Sequence, residues 1–177
     1  MITVYRDHAD FLWRTLFRMG ISEPDLPDAM QEVLLVVHRR LASFDGRSKL
    51  TTWLYGVCLR VTSNLRRGRR RRRETPLGGD TDELVLVHHD HPEHLMARRD
   101  ARKRLTQALG ALDPEKRSLL VMFELEAMST EQIAELLGIP LGTVHSRLHT
   151  ARRLFQQALF RLEARERHLM RVSGGDR

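Results

Sequence analysis

Apolar residues recur at intervals of three and four along most of the chain, and runs alternating at a period of two are almost absent. The pattern therefore predicts helices rather than strands. Over residues 4–20 and 28–43 the spacing predicts two amphipathic helices. They are separated by GISEPDLP (Gly20 to Pro27), where Gly20, Pro24 and Pro27 break the periodicity. The turn SFDGRSK (Ser43 to Lys49) then leads into a third helix that starts apolar and ends as a cationic rod near Arg73. From Thr75 to Pro92 the helical period is lost. TPLGGDTDELVLVHHDHP reads as a flexible linker, with ELVLV its one candidate for short ordered structure.

Periodicity returns near Glu93, where one helix is predicted over about residues 93–110. A second begins at DPEK, with Asp113 as N-cap and Pro114 at the first helical position. A third begins at Ser129. There STEQ forms a capping box: the Ser129 hydroxyl can accept from the Gln132 N–H while the Gln132 side chain reaches back. The expected fold class is all-α, with two small helical domains joined by a flexible linker and a helix-turn-helix in the C-terminal one. The expected boundaries are residues 1–74, a linker over 75–92, a second domain over 93–165 and a tail over 166–177 that ends without fixed structure.

The helix-turn-helix rests on STEQIAELLGIPLGTVHSRLHTARRLF, where Ala134, Gly138 and Val144 fall at the spacing this motif needs. The small Ala134 allows a close helix crossing. Gly138 can end the first helix in a left-handed conformation, and Ile139 and Val144 fill the junction. Beyond Val144, the residues Leu148, Ala151 and Phe155 form the inward stripe. Ser146, His149, Thr150 and Arg153 then face outward, with His145 and Arg152 at one edge and Thr143 at the other. Hydroxyls and arginines on such a face can meet base edges or phosphates in a major groove; an ordinary solvated face is the plainer reading.

Charge sharpens the picture. In 177 residues the formal net charge is +7, which favours a polyanionic partner. The longest apolar run, VLLVV (Val33 to Val37), is far below the roughly 20 residues that span a bilayer. The segment MITVYRDHAD carries no apolar signal core, so export is not expected. Cys58 stands alone between Val57 and Leu59, which fits a packed thiol in a reducing cytoplasm. The cluster HHDHPEH offers His88, His89, His91 and His94 with Asp90 and Glu93 as possible metal ligands. Such close spacing in a linker interrupted by Pro92 is poor for a tetrahedral site, so no metal or other cofactor is expected. No Ser/His/Asp, Cys/His or phosphate-loop arrangement points to an enzyme.

In the first block, DAMQEVLLVVH places Asp28, Gln31 and Glu32 on one surface turn of a helix, where acids often only offset the helix dipole. Their order with the rest of the chain says more. DAMQEVLL, FDGRSKLTTWLY, an arginine-ended helix, a linker and a terminal GTVHSRLHTARR together resemble an extracytoplasmic-function sigma factor, a two-domain subunit that gives bacterial RNA polymerase its promoter specificity. The resemblance covers nearly the whole chain apart from the linker and the last dozen residues. It implies that Asp28, Gln31 and Glu32 contact the clamp helices of core RNA polymerase. Phe44 and Arg60 fall where that family captures a flipped base of the −10 element, and Trp53 matches a tryptophan near the melting face. The arginine block, with Arg70, Arg71 and Arg72, would hold the backbone while strands separate. Thr143, His145, Ser146, Arg147, His149, Thr150 and Arg153 match the reader of a double-stranded −35 element. The family also implies an anti-sigma partner and a cytoplasmic setting.

Departures from the family pattern are specific. The usual asparagine after TWLY is Arg60, and positions where the family commonly carries basic residues are His145 and Thr150. Trp53 has two readings, base contact and partial core packing, as does Arg60, in the base pocket or turned to a phosphate. A free-standing helix-turn-helix regulator is the alternative function. It accounts for the second block but leaves the Trp-Tyr-Arg helix and the acidic patch unexplained.

Overall fold

The computed structural model describes residues 2–73 and 92–174. Residues 75–91 of the expected linker, with ELVLV, His88, His89 and His91, lie outside the described residues, and so do residues 175–177; Pro92, expected to end the linker, instead opens a helix, where a proline needs no N–H partner. The described residues are helical and contain no strand: α1 (Ile2–Arg18), α2 (Leu26–Arg40), α3 (Leu50–Arg73), α4 (Pro92–Gly110), α5 (Pro114–Leu120), α6 (Thr130–Leu137) and α7 (Leu141–Gly174). Contacts divide the chain into two units, residues 1–83 and 84–177. Among the described residues, no helix is long and apolar enough to cross a membrane.

In the first unit α1, α2 and α3 pack mutually. Leu12, Leu16 and Phe17 meet Ala29, Val33 and Val37, together with Leu54, Tyr55, Cys58 and Val61, all of them buried. The Cys58 thiol is therefore a packing group, as its apolar neighbours predict. The α1 terminus closes in a Schellman arrangement. Gly20, at φ 90°, donates to the Phe17 carbonyl at 2.8 Å, and Ile21 donates to Leu16 at 3.2 Å. Arg66 on α3 adds a long-range cap by donating to the Met19 carbonyl. Burial lowers the pKa of its guanidinium, with a smaller opposing effect from Tyr55.

Pro24 and Pro27 do not simply break the chain. Pro24 sits inside the 3-10 turn Glu23–Asp25, and Pro27 lies in the first turn of α2, which starts at Leu26 rather than at residue 28. A proline there gives up an N–H that has no helical partner anyway. The helix expected to reach residue 43 changes to a 3-10 turn over Leu41–Ser43, where the Ser43 hydroxyl donates to the Arg40 carbonyl at 2.7 Å.

In the second unit α7 packs against α4, α5 and α6. Its core comprises Ala108 and Leu109, Leu119 to Met122, Ile133, and the α7 stripe of Val144, Leu148 and Ala151. The α4–α5 corner is built by two polar residues one turn apart. Asp113 accepts from the N–H groups of Glu115 and Lys116 at 3.1 and 3.0 Å, capping α5. Arg117 donates to the carbonyls of Leu109, Gly110 and Leu112 at 2.7, 2.8 and 3.2 Å, capping α4. After α5 the chain widens into a π-helical turn over Val121–Leu125, and Ala127 then takes a left-handed conformation at φ 51°. The backbone of α7 stays helical past residue 165, through Gly174.

Asp113→Ala should destabilise the second unit by about 1 kcal/mol, the usual worth of such a cap. Partial burial tends to raise the Asp113 carboxyl pKa, but bonds from the Lys116 side chain and the two N–H groups, with the Lys116 charge, hold it below the usual carboxylate range. Its contribution is therefore complete above the unfolded carboxylate pKa and is lost as pH falls through the lower folded value. Urea unfolding of wild type and variant at neutral and strongly acidic pH should show the difference shrinking on acidification.

Candidate nucleic-acid interface

The turn between α6 and α7 forms as its sequence dictates. Ser129 caps α6 by accepting from the Gln132 N–H at 3.2 Å, and the Gln132 side chain accepts from the Ser129 N–H at 2.9 Å. The Glu131 carboxyl beside it is held below its usual range by its own backbone N–H and the Ser129 hydroxyl, with a smaller contribution from His145. Gly138 ends α6 at φ 64°. It donates to Glu135 at 3.3 Å while Ile139 donates to Ala134 at 3.1 Å, a second Schellman closure. Pro140 then accepts from Thr143 and Val144, starting α7.

With Val144, Leu148 and Ala151 buried, the opposite face of α7 is set. His145, Ser146, Arg147, His149 and Arg153 are exposed, while Thr143 and Thr150 are half-buried. The Ser146 hydroxyl donates to Thr143 O, and the Thr150 hydroxyl to Ser146 O, each at 3.1 Å. Their protons are thus committed to the helix and their lone pairs remain outward, which suits donor-bearing base edges. Arg147 lies at one border of this face, its Nη1 3.8 Å from Glu115 Oε2. Arg152 lies at the other, turned to Glu124 at 2.7 Å and to the Phe123 ring.

In the first unit the loop before α3 carries Phe44, whose ring centroid is 5.6 Å from that of Trp53 at 49° between planes. Both residues are half-buried, and Tyr55 is wholly inside the core. Trp53 thus combines partial packing with an accessible edge. Asp45 holds the loop by accepting from the Arg47 N–H at 3.1 Å. Arg60 is exposed on the same side of α3 as Trp53, seven residues and about 10 Å along the helix. Arg70, Arg71 and Arg72 fall in the last helical turns of α3, and their side chains are outside what the structure describes.

Asp28, Gln31 and Glu32 are all exposed on the first turns of α2. Sequence reasoning missed what lies beside them: a groove of about 460 Å³ lined by Trp13, Pro27, Met30, Gln31, Leu34, Leu35 and His38. Trp13 and Leu35 are 42% and 41% exposed, unusual for such large apolar side chains. The signal available in sequence was Trp13 itself, which follows the buried Leu12 and so falls outside the inward stripe of α1.

Residues 4–72 match the family described as Sigma-70 region 2, and residues 102–155 match Sigma-70, region 4. The chain is 30% identical over 145 residues to the ECF RNA polymerase sigma-E factor of Haemophilus influenzae, covering 78% of this chain and 77% of that protein. It is 31% identical over 143 residues to the same factor of Escherichia coli K12, covering 75% and 72%. Among solved structures it resembles the sigma factor RpoE in complex with the anti-sigma factor NepR from Bartonella quintana. That match has TM-score 0.71 and 20% identity, over 90% of this chain and 98% of the other. It also resembles CnrH in complex with the cytosolic domain of CnrY, at TM-score 0.59 and 24% identity over 89% and 85%.

The α6–α7 turn gives a direct test. A Cβ at Gly138 would meet nothing within 4 Å, so the only penalty for a side chain is the left-handed backbone. Gly138→Ala should cost about 1 kcal/mol, and Gly138→Asn less, because asparagine tolerates this conformation. Urea denaturation of the three proteins should rank them in that order.

Proposed function

The chain belongs to the extracytoplasmic-function sigma factors and is a promoter-directing subunit of RNA polymerase; from that premise we propose how its residues divide the work. The observation that carries the proposal is the pairing of a region 2 match over residues 4–72 with a region 4 match over residues 102–155. A free-standing helix-turn-helix regulator accounts for the second match alone.

Asp28, Gln31 and Glu32 contact the clamp helices of core polymerase, with the adjoining apolar groove receiving side chains from the same partner. Acidic residues on an otherwise cationic chain would repel DNA from this surface and orient a basic partner. Phe44, Trp53 and Arg60 form the surface that meets the melted −10 element. A base leaving the duplex needs a replacement for its stacking partners, and base–aromatic contacts are worth about 1–3 kcal/mol each. The half-exposed Phe44–Trp53 pair supports this role, because part of each ring is already held in place by the other. Arg70, Arg71 and Arg72 hold phosphates while the strands separate. The exposed face of α7, with Thr143, His145, Ser146, Arg147, His149, Thr150 and Arg153, reads the duplex −35 element. The work is binding rather than bond-making chemistry, and it takes place in the cytoplasm. An anti-sigma partner that covers the polymerase-binding surfaces belongs to the same proposal, since both solved relatives are complexes with such a factor or with a partner's cytosolic domain.

Run-off transcription with core polymerase on a library of genomic fragments tests the reading as a whole. Start sites that share −10 and −35 sequences support it, and no promoter-specific transcript would sink it. Two substitutions test the division of labour. Glu32→Lys should weaken core binding at least several-fold in a pull-down while leaving the thermal unfolding of the chain unchanged. Arg60→Asn replaces a donor-only guanidinium with a group that both donates and accepts. It should change the preferred base at one −10 position and leave the −35 preference intact. Selection of −10 variants from a randomised pool with each protein decides this: identical preferred bases would place Arg60 outside the pocket.

A further inference from the structure

An arginine on a helix that enters DNA is ordinarily assigned to a phosphate. We propose instead that Arg152 is a positioning residue, which sets the angle at which α7 meets the −35 element and makes no phosphate contact. This inference rests on the assignment of α7 as the reader of duplex DNA.

At 100° per residue, the inward stripe of Val144, Leu148, Ala151 and the half-buried Phe155 turns Arg153 to the side opposite the core. Arg152 then falls at the border between core and exposed face, on the side of the π-helical turn. Its guanidinium is engaged twice. Nε donates to Glu124 Oε1 at 2.7 Å, and the central carbon lies 4.8 Å from the centroid of the Phe123 ring. One contact is a hydrogen bond from Nε and the other places the guanidinium carbon over the ring, so two separate points hold the group. A lysine could supply the charge but not both geometries.

Phe123 and Glu124 belong to the π-helical turn Val121–Leu125, anchored by the buried Val121 and Met122. Ala127 follows at φ 51°, a conformation costly for a residue with a Cβ. Two residues later Ser129 opens α6. The chain is thus irregular just where it turns into the first helix of the motif, and Arg152 ties that irregular stretch across to the second. The buried contacts of Val144 and Leu148 fix how close α7 sits. The off-axis tie from Arg152 limits its rotation about its own axis, which is the freedom that decides which side chains reach base edges.

The test uses holoenzyme assembled from core polymerase and the full chain, on a promoter recovered by the run-off experiment and on the same promoter with its −35 element shuffled. Affinities are measured across a range of salt for wild type, Arg152→Lys, Arg152→Gln, Glu124→Gln and the exchanged pair Arg152→Glu with Glu124→Arg. Positioning predicts that Arg152→Lys, Arg152→Gln and Glu124→Gln each lose about three- to five-fold in discrimination between the two promoters, the scale of a half-exposed ion pair with a ring contact. The slope of log K against log salt should stay at its wild-type value, and the exchanged pair should recover part of the discrimination. A phosphate contact predicts otherwise: Arg152→Gln would reduce the slope by about 0.9, Arg152→Lys would behave as wild type, and Glu124→Gln would leave binding unchanged or tighten it. That pattern overturns the proposal. A loss of thermal stability with unchanged discrimination and slope would also overturn it, leaving a purely structural pair. Wild-type holoenzyme indifferent to the −35 shuffle would remove the assignment of α7 itself, and the inference with it.

Discussion

The backbone at the ends of short helices is the constraint on which both units rest. Each terminus leaves N–H or C=O groups that the helix cannot satisfy, and a unit of three or four helices has little apolar volume in which to hide them. The corners are therefore closed by hydrogen bonds as much as by packing. In the first unit the left-handed Gly20 and the following Ile21 satisfy the carbonyls of Phe17 and Leu16, and Arg66 reaches from α3 to that of Met19. In the second, Asp113 and Arg117 close the α4–α5 corner from both sides, and Ser129, Gln132 and Gly138 close α6 at its two ends. These closures orient the working surfaces. Arg66 fixes α3 to the end of α1 and so fixes the face that carries Trp53 and Arg60. The α6 caps, with the three residues between α6 and α7, fix where the exposed face of α7 begins.

The arginines divide into two populations that composition counts alike. Arg66, Arg104, Arg117 and Arg152 work inside the units: on carbonyls, on Glu166 at 3.0 Å, and on the Glu124 and Phe123 seat. Arg60, Arg67 and Arg153 are exposed. Arg–Glu pairs already cancel within the net charge of +7, but Arg66 and Arg117 count in it while held on backbone carbonyls, so not all of that charge is free to meet a phosphate backbone. The distinction also explains why the run after Asn64 is not a uniform rod. Its first arginine is half-buried, and its second donates to Asn64 Oδ1 at 2.6 Å.

What could be read from sequence was whatever has a local cause. Helical periodicity, the Ser129–Gln132 box, the Asp113–Pro114 start and the left-handed Gly138 each depend on residues within a few positions of one another, and each appears in the structure at its predicted place. Pro24 and Pro27 were misread for a related reason. A proline signals a helix boundary without saying on which side the helix lies, and here both open helical turns instead of ending them. The seat of Arg152, the carbonyl caps from Arg66 and Arg117, and the groove beside Asp28 had no local signature. Each includes contacts beyond the reach of one helical turn, as with Arg117 to Leu109, 8 positions apart, and Arg66 to Met19, 47 apart. The π-helical turn was equally hidden, because a widened turn leaves almost the same hydrophobic spacing as a regular one.

The first unit keeps its two kinds of charge apart. Asp28 lies in the first turn of α2, where the helix dipole favours a carboxylate, and Glu32 follows one turn later on the same exposed surface. Had they been neutralised by arginines on the same surface, neither charge would have remained for an outside partner. The cationic residues gather instead along α3, whose apolar stripe of Leu54, Val57, Cys58 and Val61 is already committed to the core. That commitment fixes the register: with those four positions inward, Trp53 and Arg60 must share the outer side. An aromatic ring and a guanidinium are thereby presented together on a helix that cannot rotate without exposing its core. On the role proposed for this surface, such preorganisation would lower the ordering cost of capturing a base as it leaves the duplex. The hydrophobic pattern that builds the unit thus also sets which side chains α3 presents outward.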